Sequence, residues 1–170
     1  MKAEELKKAA KQSIRYPFIA AHRGGPLTKE DHRELIRWAR ECCEHVLPLL
    51  AIDVDDSLIY ALTIAREWEN DNASTGAAMK VSVAAHSIVK QLEDPVYKAF
   101  ARSVGHAVAT AHMADHSLGA AFYALKAVKL AGKDFEKERN WQFERLKELT
   151  PGLIGVVQTM WKKKGLDQRI

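Results

Sequence analysis

The chain has 170 residues, 47% hydrophobic and 28% charged, which describes one ordinary domain with room for a core. Its net charge of +4 excludes a dedicated, strongly basic nucleic-acid binder. No apolar run reaches the roughly 18–20 residues that span a bilayer, and the opening MKAEELKKAAK lacks the apolar stretch of a secretory signal, so a cytoplasmic protein is expected.

The periodicity is helical throughout, with no alternating segment bounded by hairpin signals. Residues about 3 to 13 read as a short charged helix, ended by Tyr16-Pro17 and the Gly24-Gly25-Pro26 loop. Residues 1–27 are expected to form an N-terminal helix and loop, and 28–170 the all-helical domain. Thr28 opens T-K-E-D, a capping-box-like start with Asp31 in place of Glu or Gln. Leu35, Ala39, Cys42, Val46 and Leu49 then share one face, and Pro48 ends or kinks the helix. Cys42 and Cys43 point about 100° apart on it and are poorly placed to bridge each other. Two free thiols fit a reducing compartment.

Asp55, Asp56 or Ser57 caps the third helix, striped by Leu58, Ala61, Leu62, Ala65 and Trp68. A polar turn at Asn70–Ser74 leads to a fourth, from about Thr75 to Gln91, with Ala78, Val81, Ala85, Ile88 and Leu92 inward. Asp94 caps the fifth and Pro95 opens it; Val96, Phe100, Val104, Ala107, Val108 and Ala111 face the core. A sixth runs to Ala131 and stops at Gly132. One helix from Pro95 to Ala131 would be about 55 Å long, too long for this domain, so a break near Met113–Ser117 is expected. Asp134 caps a seventh helix, and Thr150-Pro151 an eighth with Leu153, Val157, Met160 and Trp161 inward. Short connections make successive helices antiparallel neighbours. The expected fold is an all-α single compact domain of seven or eight mostly antiparallel helices, as a bundle or a helix-hairpin array.

Polar candidates concentrate in Gly105–Ala121, GHAVATAHMADHSLGAA, which holds three of the seven histidines. On a continuous helix, His112 and His116 at i, i+4 put two imidazoles on one side, as zinc requires, with His86 as third ligand. The pattern is not HExxH, because Met113 follows His112. A hydrogen-bonded core histidine is the competing and commoner reading. Wheel placement sets His116 with Ala120, Tyr123 and Ala127, with Asp115, Tyr123 or Thr110 as candidate partners for the ring. His106 falls on the other side of its helix, near Arg102.

Arg66, Glu67, Glu69 and Asp71 around Trp68 read as a solvated face, or as an acidic rim for a basic partner. Trp141 falls opposite Phe135, Phe143, Leu146 and Leu149, beside Lys137, Arg145 and Glu148. It is expected under another part of the chain such as the N-terminal helix, with an oligomer interface or a binding hot spot as alternatives. Lys162–Lys164, Arg169 and the N-terminal lysines read as solvated ends. There is no phosphate loop, GxSxG or CxxC.

The run ARSVGHAVATAHMADHSLGAAFYALKA, Ala101–Ala127, resembles the bacterial immunity protein 5-like family. RWARECCEHVLPLL (Arg37–Leu50), ALTIAREW (Ala61–Trp68), AAHSIVK (Ala84–Lys90) and ERNWQFERL (Glu138–Leu146) are similar to it as well, so the resemblance covers most of the chain from about residue 28. It implies an all-α domain of polymorphic-toxin systems that neutralises a toxin by binding it, with a protein partner and neither a catalytic residue nor a cofactor. Arg66, Trp68, His86, His112, Asp115, His116 and Trp141 match the pattern, and all but Trp68 are taken as candidate binding residues. Two other readings stand beside it. One is a metal-dependent enzyme or metal-binding protein holding zinc or another divalent metal on His86, His112 and His116. The other is a structural or self-associating helical module that uses Trp141 and the lysine-rich ends. No specific nucleic acid and no membrane is expected as a partner.

Overall fold

Local capping chemistry decides where most helices begin. In the computed structural model, which describes residues 1–170, the order is α1 (Lys2–Arg15), α2 (Lys29–Leu50), α3 (Asp56–Glu69), α4 (Thr75–Val89), α5 (Pro95–Ala109), α6 (His116–Leu130), α7 (Phe135–Leu149) and α8 (Ile154–Lys163). Tight 3-10 turns occupy Tyr16–Phe18, Ala21–Arg23, Pro151–Leu153 and Leu166–Arg169. The fold is all-α, and no helix is long and apolar enough to cross a membrane. The side chains of Thr28, Asp55, Ser74, Asp94 and Asp134 each accept an amide proton at 2.8–3.1 Å at the start of their helices. Each satisfies one of the donors that a helix start leaves open. Gly132 ends α6 in the left-handed region at φ +70°.

Two local expectations change. Pro48 does not stop α2, which runs on to Leu50. Leu50, one turn beyond Val46, takes the inward position, and Leu49 is exposed. Thr150 does not cap α8; its hydroxyl donates to Asp31 Oδ1 at 2.9 Å, tying α7 to the start of α2. A 3-10 turn leads into α8 instead, without a side-chain cap.

The α5–α6 hairpin is the hub, packed against α2, with α4 on α5 and α7 on α6. Small residues permit this close approach: Ala101, Ala107, Ala120, Ala121, Ala124 and Ala127 are all buried. Two glycines go further. A Cβ on Gly105 would lie 2.6 Å from His86 Cε1, and one on Gly119 would lie 2.7 Å from His106 Nδ1. Each glycine therefore seats an imidazole of the neighbouring helix.

Buried polar side chains in the hub bind backbone, as the cost of leaving them unpaired demands. Ser103 donates to the Ala120 carbonyl at 2.6 Å, and Ser82 to that of Gly105 at 3.0 Å. Trp38, fully buried, donates to the Gln142 carbonyl at 2.7 Å, and the Gln142 amide donates to Ala121 at 3.1 Å, so α7 is pinned to both α2 and α6. α1 is the opposite case, with no buried residue.

Candidate functional site

The chain reverses between Ala109 and His116, so His112 and His116 do not share a helix face. The reversal makes a different pair. His106 on α5 and His116 on α6 face each other across the hairpin, with their Nδ1 atoms 3.0 Å apart. One ring must donate and the other accept, so the two neutral imidazoles hold opposite tautomers at this contact. Burial, followed by the nearby His116 and His86, pulls His106 down to about 3. Burial also lowers His116, against the favourable charge of Asp115. His86 stands edge-on to His106 at 5.1 Å and is lowered by burial and by Arg102. Tyr123 stacks on His106 at 5.4 Å.

The imidazole ladder is thus His86, His106 and His116, which corrects the trio of His86, His112 and His116. Nowhere does the fold gather three or more side chains that could hold a metal ion. His112 is exposed and lines a second cleft.

A cleft of about 460 Å³ opens between α1 and the α5–α6 hairpin. His106, Asp115, His116 and Gly119 come from the hairpin, Lys7, Ala10, Lys11, Ile14 and Arg15 from α1, and Lys164 from just beyond α8. Asp115 is 6% exposed; its Oδ2 accepts from Arg15 Nε at 3.1 Å and lies 4.0 Å from Lys164 Nζ. Its Oδ1 is buried with no hydrogen-bond partner. Burial lowers the Lys164 ammonium, Asp115 opposes that, and Arg15, Arg169 and Lys11 reinforce it. Lys164 and two of the N-terminal lysines, Lys7 and Lys11, therefore line a cleft, where the sequence suggested solvated ends or a surface for self-association. Lys7, Lys11 and Arg15 recur every four residues along one side of α1, a stripe about 12 Å long. Four cations face one carboxylate.

Arg66 and Trp141 lie elsewhere, on an ion-paired face of α2, α3 and α7. Arg37 bonds Glu41 at 3.1 Å, and Arg40 bonds Glu44 at 2.7 Å and Glu69 at 3.1 Å. Arg66 reaches Glu44 at 2.9 Å, and Arg145 reaches Glu41 at 2.5 Å and Glu148 at 2.9 Å. Four arginines meet four glutamates. Glu34 borders this face with a buried, unpartnered Oε2, and burial raises its carboxyl. Trp141 does not lie under α1: it stacks on His45 of α2, with ring centroids 3.6 Å apart and planes 4° apart. His45 Nδ1 is 2.8 Å from the buried Glu138 carboxyl, which burial raises.

The second cleft, about 540 Å³, lies between the loop before α2 and the α3–α4 turn. Several of its polar groups are engaged within the chain, whereas His22, Arg23 and His112 have no side-chain partner there. His32 donates to the Thr110 carbonyl at 2.6 Å, and Trp68 donates to Thr75 at 3.1 Å. Asp71, left-handed at φ 61°, binds Arg33 and also Lys29 at 3.1 Å.

Of the candidate binding residues, only Asp115 and His116 line the first cleft, with His86 one ring behind. His106, Lys7, Lys11, Arg15 and Lys164 line it too and were not among those candidates. The four-residue spacing on α1 was a visible signal for three of them.

No curated protein and no solved structure matches the chain. A family model described as Imm-5 like putative immunity protein matches residues 25–149, which take in the whole of α2 to α7 and the hairpin side of the cleft. With well over half of its length matched, the chain belongs to the Imm-5 like immunity protein family.

Proposed function

We propose that this protein neutralises a toxin by binding it directly, as a non-enzymatic inhibitor that needs neither metal nor cofactor. Membership of an immunity protein family supports a protein partner. The observation that carries the reading is the charge of the first cleft: four cations around one buried carboxylate whose second oxygen has no partner. Folded chains pair their buried polar groups, so an open, unbalanced and unsatisfied cleft is where an external partner gains most.

The would-be nucleophiles favour binding over catalysis. Cys42 and Cys43 are buried, and burial pushes both thiols up, Cys43 to about 12, which holds them as unreactive thiols. Ser103 and Ser117 donate their hydroxyls to backbone carbonyls. His106 and His116 are engaged with each other.

The test is to assay the product of the gene neighbouring this one for toxic activity and to titrate that activity with the purified protein. Stoichiometric loss of toxin activity and a complex by light scattering are expected. Full toxin activity under excess protein, with no complex, contradicts the reading. Inactivation by substoichiometric protein replaces it with an enzymatic one.

A further inference from the structure

We propose that the cleft between α1 and the α5–α6 hairpin takes an acidic protein segment in extended form, with carboxylates at alternate positions. The identity of the partner rests on the toxin reading above; the chemistry of the segment does not.

Three features point to it. First, Lys7, Lys11 and Arg15 are spaced about 6 Å apart along α1. Alternate side chains of an extended strand are about 6.6–6.8 Å apart, so successive carboxylates of one strand meet successive cations. Lys7 and Lys11 form no ion pair within the chain, and Arg15 uses only Nε on Asp115, leaving the rest of its fork.

Second, Asp115 lines the same cleft, and its Oδ1 is a buried acceptor without a donor. A peptide brings backbone N–H groups between its carboxylates and fills both requirements at once. The sugar–phosphate backbone of DNA brings acceptors only and offers Oδ1 no donor.

Third, like charges four residues apart weaken a helix, and α1 buries no residue to offset this. A carboxylate-bearing segment would neutralise the stripe and cover Ala10 and Ile14. Asp115 and His116 lie inside the family-matched stretch 25–149, whereas Lys7, Lys11, Arg15 and Lys164 lie outside it. The acidic preference therefore belongs to the flanks of this chain.

Calorimetric titration of the full chain tests the inference with a blocked six-residue peptide alternating glutamate and serine. Its lysine–serine counterpart and a hexathymidylate serve as comparison ligands. The glutamate peptide is expected to bind one to one, more tightly than either, with affinity falling as salt rises. Lys11→Glu should weaken it at least tenfold, and Lys133→Glu, at an exposed lysine outside the cleft, by less than twofold. Circular dichroism of the variants confirms the fold. No binding at millimolar peptide, equal losses in both variants, or tighter binding of hexathymidylate overturns the proposal. If toxin neutralisation survives Lys11→Glu unchanged, the acidic-segment inference fails and the toxin reading stands. If the peptide binds as described but no toxin is neutralised, the toxin reading fails and the cleft chemistry stands.

Discussion

The α2–α3–α7 face and the α1 cleft are both rich in arginine, lysine and carboxylate, and they are built on opposite rules. On the first, the paired arginines and glutamates match in number, Arg40 has two partners at a side chain only 7% exposed, and the unpartnered Glu34 Oε2 lies only at the border. In the second, cations outnumber the carboxylate, and Asp115 keeps one oxygen unpaired. A satisfied network rigidifies a fold, whereas an unsatisfied one wants a partner. The candidate residues divide along this line: Arg66 and Trp141 belong to the structural face, Asp115 and His116 to the cleft.

Substitutions should separate the two. The largest effect is expected from Arg40→Ala, which empties a buried space and leaves the largely buried Glu69 with only Arg37, 3.7 Å away. A loss of about 3 kcal/mol in urea unfolding is expected, as for breaking a buried pair from one side. A loss under about 1 kcal/mol would place Arg40 among ordinary surface pairs.

Next in size is the response to pH. His32, His86, His106 and His116 all sit below the usual histidine value in the folded state. The unfolded chain therefore takes up more protons as pH falls through about 6.5, so this stability is complete above that pH and lost below it. Glu34 and Glu138, raised by burial, act in the opposite sense, and their contribution fades as pH rises through their folded values. Between pH 6.5 and 5 the histidines dominate. Stability should fall by at least one proton's worth, about 1.4 kcal/mol per pH unit. His106→Asn should flatten the curve; an equally steep one would remove the imidazole ladder from the account.

Gly119→Ala comes third. Overpacking against His106 costs about 1–3 kcal/mol, and the gain in helix propensity returns up to about 1. The net loss should vanish in Gly119→Ala/His106→Ala, where the seat is empty. Thermal denaturation of the single and double variants decides this, and a persistent loss in the double variant would mean the glycine serves something else. The smallest stability effect belongs to the cleft rim: Lys11→Ala should change stability by less than about 0.5 kcal/mol, because Lys11 has no partner to lose.

Local chemistry was legible in the sequence, and tertiary placement was not. Thr28, Asp94, Asp134 and Gly132 act within a turn of themselves, so their helix ends could be read directly. The break before His116 followed from length alone. The same break defeated the His112/His116 pairing, because i, i+4 neighbours meet only on an unbroken helix. It also created the His106–His116 contact, which wheel placement on a single helix does not contain. Gly105 and Gly119 carried a readable hint, since glycine inside a helical pattern marks close approach. Trp141 was placed correctly beside Arg145, but its partner His45 comes from a helix far away in sequence. α1 has no fully buried residue, and of its apolar side chains only the partly buried Ile14 packs against the core to tell which way it faces. Only its lysine and arginine spacing foreshadowed the cleft.

The most direct measurement is the affinity of a toxin that the parent protein neutralises for the parent protein, for Lys11→Glu in the cleft, and for Arg66→Ala on the ion-paired face. At least a tenfold loss for Lys11→Glu, with Arg66→Ala within twofold of the parent, is the predicted result. The reverse order would contradict the account and move the partner to the α2–α3–α7 face.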